Sequence, residues 1–218
     1  MDRKESREYM ANSFLAEIAV YMYLRAYFED CKLMRIRSAT SGNILDMDRI
    51  KCFLKDIPCW EKVILDLNEI RSLNLPDYIG IRYDTEAFFV EVKNSKNKIR
   101  LSKISEKYAI NYLKEKGYHI AIINVKFPND SILEEKEIEA TLQAIGDFAK
   151  GRKVNEKFNS LIFGKRFAKL SQNFLNEENP YGSSKLKKIS YNPKVLKNSE
   201  NIDFVEITPT WEFDINPL

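Results

Sequence analysis

Two short β-rich runs lie in the middle of the chain, and only three residues separate them. The first is PDYIGIRY, residues 76–83, the second is AFFVEVK, residues 87–93, and the connection is DTE. Aromatic and β-branched residues favour strands, and so short a polar connection predicts an antiparallel hairpin. A chain with this hairpin at its centre has to build a sheet around it.

The segments that flank the hairpin predict an α/β domain. Residues from about 3 to 30 repeat apolar side chains at helical spacing, and CKLMRIR, residues 31–37, has the composition of a strand. After the hairpin, KIRLSKISEKYAINYLKEKG is amphipathic and stops at Gly117, and YHIAIINVKF predicts another strand. The order of elements predicts a central mixed β-sheet flanked by helices.

The remaining segments predict an insertion and a C-terminal extension. Within residues 43–75, DMDRIKCFLKDI predicts a short helix and WEKVILDL a strand. Beyond Pro128, two helical segments precede the stretch NEENPYGSSKLKKISYNPKVLKNSEN, whose composition is typical of a linker or a mobile basic arm, and the strand-like IDFVEI and TWEFDI follow it. We therefore expect a core over residues 1–128 and a helical, partly flexible extension over residues 129–218, packed on the core or on a partner subunit.

Composition restricts the possible chemistry. The chain has 218 residues, no apolar run as long as a membrane span, and an N-terminus too polar for a secretory signal, so we expect no membrane partner and a cytoplasmic location, the host cytoplasm for a viral protein. Its three cysteines form no CxxC pair, and His119 is its single histidine. Any metal would therefore be a hard cation bound by oxygen.

Positive charge is concentrated late in the chain. Residues 151–200 contain 11 basic and 4 acidic side chains, whereas the net charge of the whole chain is only +3. A basic segment of this kind suits nucleic-acid phosphates, and it equally suits an ordinary solvated surface.

The second strand of the hairpin carries two charges on one face. Side chains alternate across a strand, so Glu91 and Lys93 face the same way as Phe89. Asp77 stands fourteen residues before Glu91, where the start of one strand lies beside the end of the other. Two adjacent carboxylates resist joint ionisation unless a cation lies between them. The plainer alternatives are a half-exposed strand face and an aspartate that caps a turn.

A third acid comes from the first predicted helix. Glu17 lies within or beside the apolar stripe of that helix, and burying a lone carboxylate costs several kcal/mol unless it has a partner. The partner is either a cation shared with Asp77 and Glu91, or an arginine, Arg25 or Arg37, in a structural ion pair.

The order of these residues resembles the PD-(D/E)XK nuclease superfamily. The similarity rests on PD at Pro76-Asp77, EVK at residues 91–93, the helix glutamate in AEIAVYMYL and the downstream helix and strand, which are similar to those of the resolvase-like branch. It covers about residues 8–126. Where many resolvase-like relatives carry a glutamine at the start of that downstream helix, this chain has LSKISEK, with Ser102 and Ser105.

The resemblance implies a restriction-endonuclease-like core and metal-dependent phosphodiester hydrolysis. Asp77, Glu91 and the Val92 backbone carbonyl would bind Mg²⁺ or Mn²⁺, Lys93 would orient or help deprotonate the attacking water, and Glu17 would complete the cation shell directly or through water. The basic run that follows predicts a nucleic-acid contact, or else a solvated helix-entry loop, at these residues: Lys96, Lys98, Arg100, Ser102 and Lys103.

The predicted function is therefore a divalent-metal-dependent DNA endonuclease. The resemblance also implies branched or junction DNA as substrate and a homodimer as the active form. Two alternatives stay open: a non-catalytic nucleic-acid-binding protein that keeps the nuclease-like fold, and an RNA-cleaving nuclease. Clustered carboxylates favour cleavage, because binding alone requires only basic residues.

Overall fold

The computed structural model describes residues 3–27, 31–36, 47–94, 101, 103–127, 135–149, 186–199 and 201–213. Its helices are α1 (Arg3–Tyr27), α2 (Met47–Leu54), α3 (Trp60–Glu69), α4 (Ile104–Glu115) and α5 (Glu135–Ala149). Its strands are β1 (Lys32–Arg35), β2 (Tyr78–Arg82), β3 (Glu86–Lys93), β4 (His119–Val125), β5 (Leu186–Ser190), β6 (Lys194–Ser199), β7 (Ile202–Ile207) and β8 (Thr210–Phe213).

The main sheet has six strands in the order β1-β2-β3-β4-β7-β6. The pairs β1–β2, β2–β3 and β6–β7 are antiparallel, whereas β3–β4 and β4–β7 are parallel. Strands β5 and β8 pair with each other in a separate two-stranded sheet. The predicted α/β class with an open mixed sheet flanked by helices is thus confirmed.

The hairpin forms where the sequence predicts it. Tyr83 and Asp84 both have positive φ angles, and the backbone N–H of Thr85 donates to the carbonyl of Arg82 at 3.2 Å, which closes the turn. The register pairs Tyr78 with Val90 and Gly80 with Phe88. This register sets which side chains of β2 face those of β3.

The two faces of the sheet pack against different helices. Phe88 and Val90 join the core cluster formed with α1 and α5, whereas Phe89 joins the cluster formed with α2, α3 and α4. Because side chains alternate along a strand, Glu91 and Lys93 continue the Phe89 row toward α4. The charged pair therefore points into the side of the sheet that α4 covers.

Helix α4 buries one stripe and ends as predicted. Ala109, Ile110 and Leu113 are fully buried at helical spacing. Gly117 has a φ of 89°, its N–H donates to the Lys114 carbonyl at 2.9 Å, and the N–H of Tyr118 donates to the Leu113 carbonyl at 3.1 Å. These bonds satisfy the last carbonyls of the helix and turn the chain into β4.

Residues 60–69 form helix α3, so the predicted strand at WEKVILDL is wrong. Val63, Ile64 and Leu67 are buried while Leu65 is exposed, which is helical periodicity. The apolar run VIL is too short to distinguish a strand from a buried helix face by composition. The neighbouring helix α2 is confirmed.

The C-terminal part of the chain differs from the expected extension. Residues 186–190 and 194–199 form strands β5 and β6, so the predicted mobile arm is wrong there. Strand β7 pairs in parallel with β4, so the main sheet extends past the expected boundary at residue 128. The second predicted C-terminal helix, around VNEKFNSLIFGKRFAKLSQNFL, lies outside the described residues.

Helix α1 has 25 residues and is the longest element in the described part of the chain. It buries Ala11, Leu15 and Ala19 against the sheet and α5 while Glu5 and Arg25 remain exposed. Among the helices that the structure describes, none is long and apolar enough to cross a membrane.

Gly80 leaves room for the Phe88 ring, and this contact yields a stability prediction. A Cβ at position 80 would overlap the Phe88 ring. We expect Gly80→Ala to lower the free energy of unfolding by about 1–3 kcal/mol, and hence the melting temperature by about 2–12 °C in a protein of this size. Thermal unfolding followed by circular dichroism measures the change.

A second substitution tests the cause. Phe88→Leu should recover part of the loss in Gly80→Ala, because the smaller side chain removes the overlap. It should recover nothing in Gly117→Ala, where open space surrounds the new Cβ and only the positive φ causes strain. Equal recovery in both backgrounds would contradict the packing explanation.

Candidate active site

Asp77 and Glu91 face each other across the β2–β3 pair. Tyr78 is paired with Val90, so the same register continued by one residue sets Asp77 opposite Glu91. The backbone N–H of Val92 donates to Asp77 Oδ2 at 2.8 Å, which fixes the aspartate at the end of β3. Both side chains are buried. The structure therefore brings together the two acids that the sequence pairs.

Lys93 joins these acids from the same face of β3. Its Nζ donates to Glu91 Oε1 at 2.6 Å and also to Glu106, a buried residue of α4. The lysine side chain itself is only 17% exposed. The ammonium group thus bridges a strand carboxylate and a helix carboxylate in a site that water reaches poorly.

Glu106 is the site residue that sequence reasoning missed. It stands at the third position of α4, where its Oε2 accepts a hydrogen bond from the backbone N–H of Lys103 at 3.4 Å. A glutamate three residues after the cap residue is a known helix-start pattern, and this was the available signal. Ser102 and Ser105 stand near the position where many resolvase-like nucleases have a glutamine, so the resemblance points to them and not to Glu106.

Negative charge exceeds positive charge in this buried acid cluster, which comprises Asp77, Glu91, Lys93 and Glu106. Three carboxylates and one ammonium carry a formal charge of −2 when all are ionised. Burial, reinforced by the charge of Asp77, raises the pKa of Glu91 well above its usual value, and Lys93 only partly opposes this shift. A proton or a cation therefore has to compensate the excess charge.

The pKa values of Lys93 and Glu106 shift in opposite directions. Burial lowers the pKa of Lys93, but Glu91 and Glu106 outweigh it, so the net shift is upward. Burial raises the pKa of Glu106, but its hydrogen bonds with Glu91 and Lys93 outweigh it, so the net shift is downward. Lys93 is therefore held as an ammonium and Glu106 as a carboxylate, while Glu91 is the member that takes up a proton.

The residues present fit a hard divalent cation bound by few protein ligands. Glu91 Oε2 is buried and has no hydrogen-bond partner in the described part of the chain. Within the same residues, no group of three or more Asp, Glu, His or Cys side chains is spaced to hold a metal ion. Mg²⁺ commonly uses one or two carboxylates together with water and phosphate oxygens, so Asp77 and Glu91 suffice as side-chain ligands.

Glu17 belongs to α1, the helix that covers the other face of the sheet. Its carboxylate forms an ion pair with Arg35 of β1, on the side of the sheet that α1 covers, and its backbone carbonyl accepts a hydrogen bond from Tyr78 Oη at 3.1 Å. The structural ion pair that the sequence left open is therefore present, with Arg35 as the partner, and the predicted partner Arg37 lies outside the described residues. A metal role for Glu17 stays a prediction.

The predicted nucleic-acid contacts are mostly outside the described residues. Lys103 is described, and it is exposed at the start of α4 next to the buried acid cluster. The others lie in parts of the chain about which the structure says nothing: Lys96, Lys98, Arg100 and Ser102.

The pKa of Glu91 leads to a prediction about stability and pH. An acid whose pKa is raised on folding stabilises the protein below its unfolded pKa, and this contribution is lost as pH rises through the folded pKa. We expect Glu91→Gln, which mimics the protonated acid, to be more stable than the natural protein at pH 8, by about 1–3 kcal/mol in metal-free buffer. The difference should widen between pH 5 and pH 9.

Melting temperatures across that pH range, with chelator present, check this expectation. Glu86→Gln is the matched control, because Glu86 is exposed on the same strand and pairs with Arg82. Its stability difference should stay nearly constant with pH. A Glu91→Gln protein that is less stable throughout would mean that the ionised carboxylate is well compensated.

Comparisons with known proteins identify no relative of this chain. No family model, no curated protein and no solved structure matches it. The resemblance to PD-(D/E)XK nucleases is therefore one of motif order and spacing, and any function has to be argued from the buried acid cluster itself.

Proposed function

We propose that this protein is a divalent-metal-dependent nuclease with a restriction-endonuclease-like core, which hydrolyses phosphodiester bonds in DNA. The observation that carries the proposal is the facing pair Asp77 and Glu91, with Lys93 on the same face of β3. A buried cluster with excess negative charge is expensive to maintain for stability alone. A bound divalent cation would neutralise the excess negative charge of the cluster.

In this proposal the chain supplies ligands, orientation and charge. Asp77, Glu91 and the Val92 carbonyl would hold Mg²⁺ or Mn²⁺, and the cation when bound would lower the pKa of the attacking water and offset charge on the phosphate. Lys93 would attract the scissile phosphate and orient the water. Glu106 would keep the Lys93 ammonium in position, since both groups are already in contact.

The kind of DNA follows from the resemblance. Resolvase-like nucleases act on branched or junction DNA as homodimers, and we extend both properties to this chain as part of the proposal. The late basic segment, residues 151–200, supplies charge for long contacts with the phosphate backbone.

Two other functions fit part of the same observations. A non-catalytic nucleic-acid-binding protein would keep the fold and the basic residues, but it has no need for two buried carboxylates that face each other. An RNA-cleaving nuclease would use the same cluster, and the choice between DNA and RNA rests with the substrate assay.

Metal-dependent cleavage is the direct test. The protein is incubated with supercoiled plasmid, linear duplex, single-stranded DNA, a four-way junction and RNA, with Mg²⁺, with Mn²⁺ or with chelator. We expect cleavage of DNA only with metal, and a loss of at least about 100-fold in Asp77→Asn and Lys93→Ala, because several kcal/mol of transition-state stabilisation disappear.

Glu86→Gln on β3 serves as the control, because it removes one negative charge as Asp77→Asn does. Melting temperatures show that each variant is folded. Full activity in Asp77→Asn would show that the site is elsewhere. Binding of nucleic acid without cleavage of any substrate would support the non-catalytic alternative.

One comparison of variants distinguishes a structural role of Glu17 from a role in the cation shell. Glu17→Gln and Arg35→Gln should each lower stability, since each leaves a largely buried charge without its ion-pair partner. If Glu17 also completes the cation shell through water, Glu17→Gln alone should raise the Mg²⁺ concentration needed for half-maximal cleavage. We expect that difference, measured by metal titration, and equal Mg²⁺ requirements would show that Glu17 is purely structural.

A further inference from the structure

The outer face of α4 exposes two apolar side chains next to two lysines. Ile104 and Tyr108 are 73% and 64% exposed and stand one turn apart. Lys103, the residue that precedes α4, and Lys107, in its first turns, are also exposed. Apolar side chains next to basic ones suit a ligand with flat apolar surfaces and negative charges.

None of these side chains is engaged by the described part of the protein. Within the described residues, Tyr108 makes no hydrogen bond and no ring contact. The ammonium groups of Lys103 and Lys107 form no ion pair within the same residues. Other residues on this side of the sheet are satisfied: Tyr112 donates to Glu69, and Lys62 and Lys116 both pair with Asp66. The exposed α4 surface is therefore available for a ligand.

The surface begins at the buried acid cluster. Lys103 is adjacent to Ile104, and the N–H of Lys103 donates to Glu106, which contacts Lys93. Lys103 and Ile104 at the start of α4 are therefore close to the cluster, within reach of a polymer that has a phosphate there. The position of the surface, as well as its composition, thus points to the substrate.

We infer that the exposed α4 surface binds a single-stranded segment of nucleic acid beside the bond to be cut, with Tyr108 stacking on an unpaired base. This inference rests on the proposed nuclease function and specifies its substrate. Bases inside a duplex are stacked on each other, so an exposed aromatic ring reads single strands and not intact duplex. Lys103 and Lys107 contact the phosphates on either side of that base.

A second copy of this chain is the competing occupant. A two-fold contact through this face would bring Lys103 and Lys107 of both copies together, and like charges would oppose it. Ile104 and Tyr108 also offer little apolar area compared with the roughly 800 Å² per partner of a stable interface. The charge of the surface therefore favours a polyanion.

Fluorescence anisotropy with labelled oligo-dT of about 20 nucleotides and with a duplex of equal length tests the inference. Chelator is present, so binding is measured without cleavage. We expect Tyr108→Ala to weaken single-strand binding at least about fivefold and duplex binding less than twofold. Tyr108→Phe keeps the ring and should stay within twofold of the natural protein for both.

Tyr83→Ala is the matched control, because Tyr83 is 69% exposed in the hairpin turn, at the opposite end of β3 from Lys93. It should bind both probes normally. Unchanged single-strand binding by Tyr108→Ala, or an equal loss for single strand and duplex, would overturn the inference, as would a Tyr108-dependent change in self-association by sedimentation.

The same measurement separates this inference from the proposed function. Asp77→Asn should lose cleavage and keep its Tyr108-dependent binding of single strands. If no substrate is cut but Tyr108→Ala still weakens single-strand binding selectively, the nuclease proposal fails and the single-strand surface stands. If cleavage is confirmed and Tyr108→Ala binds like the natural protein, only the surface assignment fails.

Discussion

The repulsion between Asp77 and Glu91 is the constraint on which the candidate site depends. The hairpin register places the two carboxylates opposite each other, and the surrounding side chains exclude most of the water that would otherwise screen them. Lys93 neutralises part of this charge, and Glu106 adds to it. Such a cluster lowers the stability of the folded protein unless a ligand binds to it, and a trade-off of this kind between stability and activity is common at functional sites.

The architecture explains why the cluster is held so firmly. The facing acids lie on a central strand pair, with β1 on one side and β4 on the other, so their backbone is fixed by hydrogen bonds in both directions. Glu106 arrives on a helix whose buried stripe locks it against the same sheet face. Sites supported by strands and helices in this way hold their geometry more precisely than sites on loops.

The two faces of the sheet carry different charged groups. The α1 side contains the Glu17–Arg35 ion pair under a long helix, and the α4 side contains the buried acid cluster and ends at an exposed surface. Glu17 and Glu91 are both acids in apolar surroundings, and Glu17 has Arg35 as its ion-pair partner. Glu91 instead shares Lys93 with Glu106 and faces a second carboxylate, Asp77. The excess negative charge around Glu91 distinguishes it, as a candidate ligand, from a structural carboxylate.

The sequence by itself determined the hairpin, its register and the shared face of Glu91 and Lys93, because strand alternation and a three-residue connection are local rules. It also determined α1, α4 and the stop at Gly117, since amphipathic spacing and a positive φ are encoded within a few residues. The helical nature of residues 60–69 could not be separated from a strand, because a short apolar run satisfies both.

Only the tertiary structure decided which acids meet. Glu106 reaches Lys93 because α4 crosses the Phe89 side of the sheet, and Glu17 meets Arg35 because α1 covers the other side; neither crossing is visible in a linear pattern. The pairing of β7 with β4 likewise joins residues far apart in the chain. Long-range packing selects among partners that local propensity leaves equivalent. For this physical reason the strands of the site could be predicted from the sequence, whereas its full set of charged residues could not.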